Sequence, residues 1–304
     1  MVKPSILIVG HEGQVAFELQ RTLACLGQVA SLGRTTQPAL DLSHPASIRE
    51  TVRKVKPTLI VNAAAYTAVD KAEQEPELAH RINAEAAGML AEEARAIDAG
   101  LIHYSTDYVF PGDATEPYSE DAPVGPLGVY GQSKLAGEKA IRQSGVQHLI
   151  LRTAWVYGGR GQNFLLTMLR LMRERDSLGI VDDQHGAPTW SRLIAEATAL
   201  IAHRNMHGGR FDPGAKAGTY HLTCGGQTTW FGFASHIREL AIRQGQLDDS
   251  AALLNPIPAS AYPTPARRPR YSVLSNDKLA EAFGLVLPAW ETALALCLAE
   301  TPLT

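Results

Sequence analysis

The stretch "SILIVGHEGQVAFEL", Ser5 to Leu19, does most to narrow what this chain can fold into. A short apolar run passes into two closely spaced glycines and then into a helical pattern, which reads as a buried strand turning sharply into a helix. The spacing is G-x-x-G-x-x-A, with Gly10, Gly13 and Ala16. Backbone without side chains can turn tightly and approach a pyrophosphate, and the helix N-terminus that follows offers unpaired N–H groups to phosphate oxygens. Ala16 keeps the helix close to the strand. Gly10 and Gly13, with Gln14 and Val15 at the helix start, are therefore candidate dinucleotide contacts. A turn that merely uses glycines is the alternative, but a loop after the first strand of a βαβ unit favours the cofactor site.

The rest of the first half repeats the alternation. Segments 5–9, 28–32, 58–61, 100–105 and 148–152 read as buried strands, and 14–26, 76–97 and 131–144 carry helical periodicity. The pattern predicts an α/β fold, a Rossmann-type doubly wound parallel sheet with helices on both faces. After about residue 153 glycine and proline become more frequent, with helices expected at 162–174, 190–204, 229–244 and 288–299. We read residues 1–152 as a nucleotide-binding domain to which parts of about 175–207 return. Residues 153–174 and 208–304 then form mainly a smaller mixed α/β substrate lobe. Two lobes imply a cleft beyond the carboxyl ends of the strands.

Composition excludes several classes. Net charge is −3 and no lysine/arginine run tracks a phosphate backbone, so no nucleic-acid partner is expected. Cys25, Cys224 and Cys297 are odd in number and far apart, which suits neither a disulfide framework nor zinc and fits a reducing cytoplasmic setting. Neither a signal peptide nor a membrane span is expected.

Candidate site residues collect at strand ends. Arg34 follows the second strand with no acidic neighbour before Asp41, which leans toward the 2′-phosphate of NADPH, NADH remaining possible. Asp41 and Leu42 either bracket the adenine, or Asp41 or Ser43 caps the next helix. Ala63, Ala64 and Ala65 leave room for a ribose and nicotinamide, or else pack a helix closely on the sheet. "STDYVF" sets Ser105, Thr106, Asp107 and Tyr108 at the fourth strand's end, and "VYGQSKLAGE" spaces Tyr130 and Lys134 one helical turn apart. A free phenol titrates near ~10, and a nearby ammonium is expected to lower that value, making the tyrosine a usable general acid or base.

Taken together, "GHEGQVAFEL", "NAAAYTAVDKAE", "STDYVFPG", "YGQSKLAGE", "LRTAWVYG", "DDQHGAPT" and "RRPRYSVLSNDKL" resemble the sugar-nucleotide branch of the extended short-chain dehydrogenase/reductase superfamily. The resemblance covers nearly the whole chain. It implies hydride transfer from NADPH or NADH to C4 of a nucleotide-linked 4-keto sugar, dTDP-4-dehydro-L-rhamnose. Tyr130 would be the proton donor, Lys134 would hold the nicotinamide ribose and Thr106 would hydrogen-bond the carbonyl. It also implies substrate contacts at Val69, Asp107, Tyr108 and Trp155, with Arg268 for the diphosphate. Alternatives are an epimerase or dehydratase of the same superfamily, or a non-catalytic NADP-binding subunit. A dehydratase needs further acid/base groups, and no glutamate follows Asp107. Some family members dimerise around Mg2+, but Glu18, Glu291 and Glu300 do not suggest a cluster, so no structural metal is expected, and the chain is read as monomer or homodimer.

Overall fold

The computed structural model describes residues 3–301. Its centre is a six-stranded, wholly parallel sheet whose register follows from five apolar strands: β1 (Ser5–Val9), β2 (Gln28–Leu32), β3 (Leu59–Asn62), β4 (Gly100–Thr106) and β5 (His148–Thr153). A sixth strand, Gly218–His221, completes the sheet beyond β5, so the order is Gly218–His221, β5, β4, β3, β1, β2. The chain steps outward from β1 to β2 and then returns to the other side of β1 for β3. That reversal opens a crevice at the carboxyl ends of β1 and β3.

Alternation along each strand divides the core. Ile6 and Ile8 of β1 face α1 (Gln14–Thr22) and the helix Ser191–Arg204, through Ala16, Leu19, Ile194 and Ile201. Leu7 and Val9 face the opposite layer, which holds Ile48 and Val52 of α2 (Pro45–Val55) and Leu90 and Ala94 of the helix Ala86–Ala96. A strand buried on both faces needs a continuous apolar run, as the sequence has.

The expected helix over 76–97 is one continuous helical passage with an internal irregularity. Short helix α3 (Val69–Ala72) precedes it, then α4 (Pro76–His80), a π turn at Arg81–Glu85 and α5 (Ala86–Ala96). The π turn contains buried Asn83, whose amide oxygen accepts from the Tyr66 N–H at 2.8 Å and whose amino group donates to the Tyr66 carbonyl at 3.0 Å. It thereby clamps the segment leaving β3. Helix α6 (Val129–Ser144) then crosses the sheet face over β4.

The second core is built of Tyr157, Leu165, Met172, Phe233, Trp290 and Leu294. It lies among helices Phe164–Glu174, Trp230–Arg243 and Trp290–Glu300 and a parallel pair, Ser177–Val181 with Leu253–Ile257. No helix among the described residues is long and apolar enough to cross a membrane.

One buried ion pair fastens α6 to β5. Glu138, fully buried, accepts from Arg152 Nε at 2.8 Å and Nη2 at 2.7 Å. Burial pushes the Glu138 carboxyl up, but Arg152 outweighs this and holds it below its ordinary value. Glu138→Ala leaves a buried guanidinium without its counter-charge and should destabilise the protein by about 3–5 kcal/mol in denaturant unfolding. Because the folded-state value is lowered, this stabilisation is present above the unfolded value near ~4.3 and fades as pH falls through and below it. An acid-unfolding curve identical in Glu138→Gln would refute that assignment.

Candidate active site

The glycine loop has the shape a dinucleotide requires. Gly10 lies at φ +113°, a conformation that L side chains rarely adopt, and a Cβ there would stand 3.3 Å from the Ala16 Cβ and 3.4 Å from the Ala64 nitrogen. Gly13 precedes α1 without any side-chain cap, and a Cβ on it would meet nothing within 4 Å. The first N–H groups of α1 therefore open toward a vacant approach, which suits phosphate oxygens. Gln14 is tied across to the second lobe, accepting from Asn163 Nδ2 at 2.9 Å. Val15 packs into the sheet core.

The remaining cofactor candidates divide. Arg34 is exposed just beyond β2 and forms no ion pair among the described residues, leaving its guanidinium available to an anion. Asp41 spends one oxygen on Ser43, accepting from its N–H and hydroxyl, each at 2.8 Å, and places the other 3.3 Å from His44. Burial raises its pKa, but these hydrogen bonds dominate and hold it below its ordinary value. Neither Asp41 nor Ser43 caps the following helix, whose N-cap is His44. Leu42 is a buried core residue. Ala63, Ala64 and Ala65 are half-buried at the carboxyl end of β3, beside the Gly10 turn.

At the end of β4 the chain gathers the chemistry. Thr106 is buried and donates its hydroxyl to Asp107 Oδ1 at 2.9 Å, while accepting from the Tyr108 N–H at 3.2 Å. Burial pushes the Asp107 carboxyl up to about 6, with the nearby Ser272 and Thr106 hydroxyls offsetting part of that rise. Tyr130, at the start of α6, lies close to the Thr106 hydroxyl and meets the Tyr108 ring edge-on at 5.6 Å between centroids. Burial pushes the Tyr130 phenol up to about 12, the nearby Thr106 hydroxyl lowering it and the Asp107 charge raising it.

Lys134 departs from the expectation that its ammonium lowers the tyrosine value. The groups acting on Tyr130 are Thr106 and Asp107. Lys134 is buried against the sheet: its Nζ donates to the Tyr104 carbonyl at 2.6 Å and lies 3.2 Å from His103 Nε2. The phenol therefore stays protonated at neutral pH, the state a proton donor needs.

Around this centre, Val69 is half-buried at the start of α3, next to Asp70. Arg268 grips Asp70 with both ends of its fork, Nη1 to Oδ1 at 3.1 Å and Nη2 to Oδ2 at 2.7 Å. Its guanidinium is thus already engaged, and Tyr108 feels the charges of both partners. Trp155 stands two residues past Thr153, the register partner of Thr106. It adopts φ +45°, an unusual conformation for a bulky residue, and stacks flat on Trp230 at 3.5 Å. A Cβ on Gly186 would collide with the Trp155 indole at 2.3 Å. Glu18 and Glu300 do meet, but through Arg192, which bonds Glu18 Oε2 at 3.3 Å and also pairs with Glu300. No group of three or more His, Cys, Asp or Glu suited to hold a metal occurs among the described residues.

Several polar residues escaped the sequence reading: Asn62, His103, Asn83 and Ser133, all buried, with Asp70 and Trp230. A histidine inside the apolar run "GLIHYS" was the one visible signal.

Comparison with known proteins agrees with this geometry. Residues 4–302 match the family model described as RmlD substrate binding domain. The dTDP-4-dehydrorhamnose reductase of Shigella flexneri is 47% identical over 297 residues, covering 97% of each chain. That of Burkholderia thailandensis is 47% identical over 299 residues, covering 97% of this chain and 98% of its own. Among solved structures, the Bacillus anthracis dTDP-4-dehydrorhamnose reductase in complex with NADP superposes with a TM-score of 0.86 at 32% identity, covering 99% of this chain and 100% of its own. The Thermus thermophilus UDP-glucose 4-epimerase shares the fold, with a TM-score of 0.78 at 19% identity, covering 98% of each chain. With nearly its whole length matched and its hydroxyl, tyrosine and lysine set at the carboxyl edge of a parallel sheet, this chain belongs to the dTDP-4-dehydrorhamnose reductase family.

Proposed function

We propose that this protein reduces the 4-keto group of dTDP-4-dehydro-L-rhamnose to give dTDP-L-rhamnose, with NADPH as the hydride source. The observation that carries the reading is Tyr130, a phenol held neutral by burial close to the Thr106 hydroxyl at the carboxyl end of β4. Gly10 and Gly13 with the start of α1 suit the pyrophosphate, the Ala63–Ala65 segment the nicotinamide side, and unpaired Arg34 the 2′-phosphate. The bound cofactor would supply the hydride.

The chain's own residues handle the oxygen. Thr106 directs its hydrogen to Asp107 and accepts from the Tyr108 N–H, which fixes its hydroxyl close to Tyr130. As charge develops on the substrate oxygen, Tyr130 delivers its proton. An alkoxide is far more basic than a phenolate that titrates near 12, so this transfer runs downhill despite the raised value. Tyr108, Val69 and Trp155 provide walls, and Arg268 is the candidate for the diphosphate, exchanging Asp70 for the ligand.

Two outcomes follow. Tyr130→Phe should bind NADPH nearly as well as wild type, by fluorescence titration, while turnover falls by about 100-fold or more. Undiminished turnover would sink the proton-donor role. Asp107, raised to about 6, is an anion above that pH and takes a proton below it, withdrawing the acceptor that orients Thr106. The kcat/KM profile should therefore decline on the acid side with a midpoint near 6, and Asp107→Asn should abolish that limb. A limb that persists in Asp107→Asn belongs to another group.

A further inference from the structure

A row of buried polar groups runs across the sheet beneath the site, and none of them touches the reacting atoms. Register sets Asn62 of β3 beside His103 of β4, and α6 lays Lys134 against the same strand. Asn62, His103 and Lys134 are each at most 2% exposed, so their hydrogen bonds must be settled among themselves.

The directions can be worked out from one end. The Ala64 N–H, which can only donate, points at Asn62 Oδ1 at 3.3 Å. That leaves the Asn62 amino group facing His103 Nδ1 at 3.0 Å, so Nδ1 accepts and the ring proton sits on Nε2. His103 Nε2–H then points at Lys134 Nζ, 3.2 Å away. An ammonium has three hydrogens and no lone pair, whereas an amine can accept there and still donate to the Tyr104 carbonyl at 2.6 Å. With an amine, every member of the row is satisfied. With an ammonium, the ring proton must move to Nδ1 and the Asn62 amide must turn, which sets its amino group against the Ala64 N–H.

We propose that this one-way chain from Ala64 through Asn62 and His103 favours the neutral amine of Lys134 over its ammonium, making Asn62 and His103 positioning residues that govern the charge of the site lysine. The surroundings agree. Burial pulls Lys134 down to about 8 and also holds His103 neutral. The one group that opposes the amine is Glu138, a turn along α6, and its charge is met by Arg152 from β5 and by Arg142. Asp107 and Tyr130 complete the titratable groups at this end of the helix, and the Tyr104 hydroxyl is turned away to Thr198. An amine still offers N–H donors to a cofactor ribose. The chain begins on the alanine segment proposed for the nicotinamide side, so cofactor binding and the lysine's charge are linked. That consequence rests on the reductase reading; the charge state itself does not.

The test uses the cofactor-free protein and needs no turnover, so its failure leaves the Tyr130 experiment intact. Nitrogen-15 spectra of the histidine rings, with His103 assigned by its loss in His103→Gln, report which nitrogen carries the proton. Carbon-13 spectra of the lysine side chains, with Lys134 assigned by Lys134→Met, report its titration. Expected is an Nε2-protonated His103 at high pH that switches to the Nδ1 form with the same midpoint at which Lys134 gains its proton, well below the other lysines. Asn62→Leu removes the directional bias and should raise the lysine midpoint by about one unit or more. An Nδ1-protonated ring throughout, a lysine that titrates with the solvent-exposed ones, or a midpoint unmoved by Asn62→Leu would overturn the proposal. Should Asn62→Leu fail to fold, the coupled switch in the wild-type protein decides the matter by its presence or absence.

Discussion

The contact between Lys134 and the Tyr104 carbonyl, buried where α6 crosses β4, sets the rotation of that helix, and the site depends on it. Tyr130, Lys134 and Glu138 are spaced one turn apart and so share a face. Two of them are held by different points of the sheet, Lys134 by Tyr104 of β4 and Glu138 by Arg152 on the next strand, and Tyr130 is thereby set close to Thr106 at the strand end. Apolar packing alone would tolerate small rotations of α6. Two desolvated directional anchors do not.

Close approach makes those anchors possible. A Cβ at Gly131, beside Tyr130, would stand 2.2 Å from the Tyr108 carbonyl oxygen, so the turn after β4 can lie directly against the start of α6. On the other side, Asn83 in the π turn bonds Tyr66 and donates to Ser133 of α6 at 2.9 Å, which locks the segment after β3 to the same helix. Thr106, the alanine segment and Tyr130 are therefore positioned by one shared set of contacts. The second lobe contributes from outside: Trp155 braced on Trp230, and Arg268 reaching across to Asp70.

Electrostatically, the site does not follow the simple scheme of a cation depressing a phenol. Desolvation acts on every member: it raises Tyr130 and Asp107 and lowers Lys134, so all three shift toward their neutral forms. The shifts leave Tyr130 neutral at pH 7 and bring the titrations of Asp107 and Lys134 closer to the physiological range.

The local pattern was readable in the chain itself. Five strands, the glycine loop and the long helices at 131–144, 162–174, 190–204 and 229–244 follow from hydrophobic period and turn residues, which are properties of neighbours in sequence. The spacing of Thr106, Tyr130 and Lys134 also belongs to the sequence, and the resemblance it supports carried the family. The sixth strand was not visible, because "GTYH" is short and mixed and becomes a strand only through pairing with β5. Only the fold brought Asn62 beside His103, turned Lys134 onto a backbone carbonyl, gave Arg268 to Asp70 and joined Glu18 and Glu300 through Arg192. These are contacts between residues far apart in the chain, and burial, which no linear pattern records, decides which proton each of them carries.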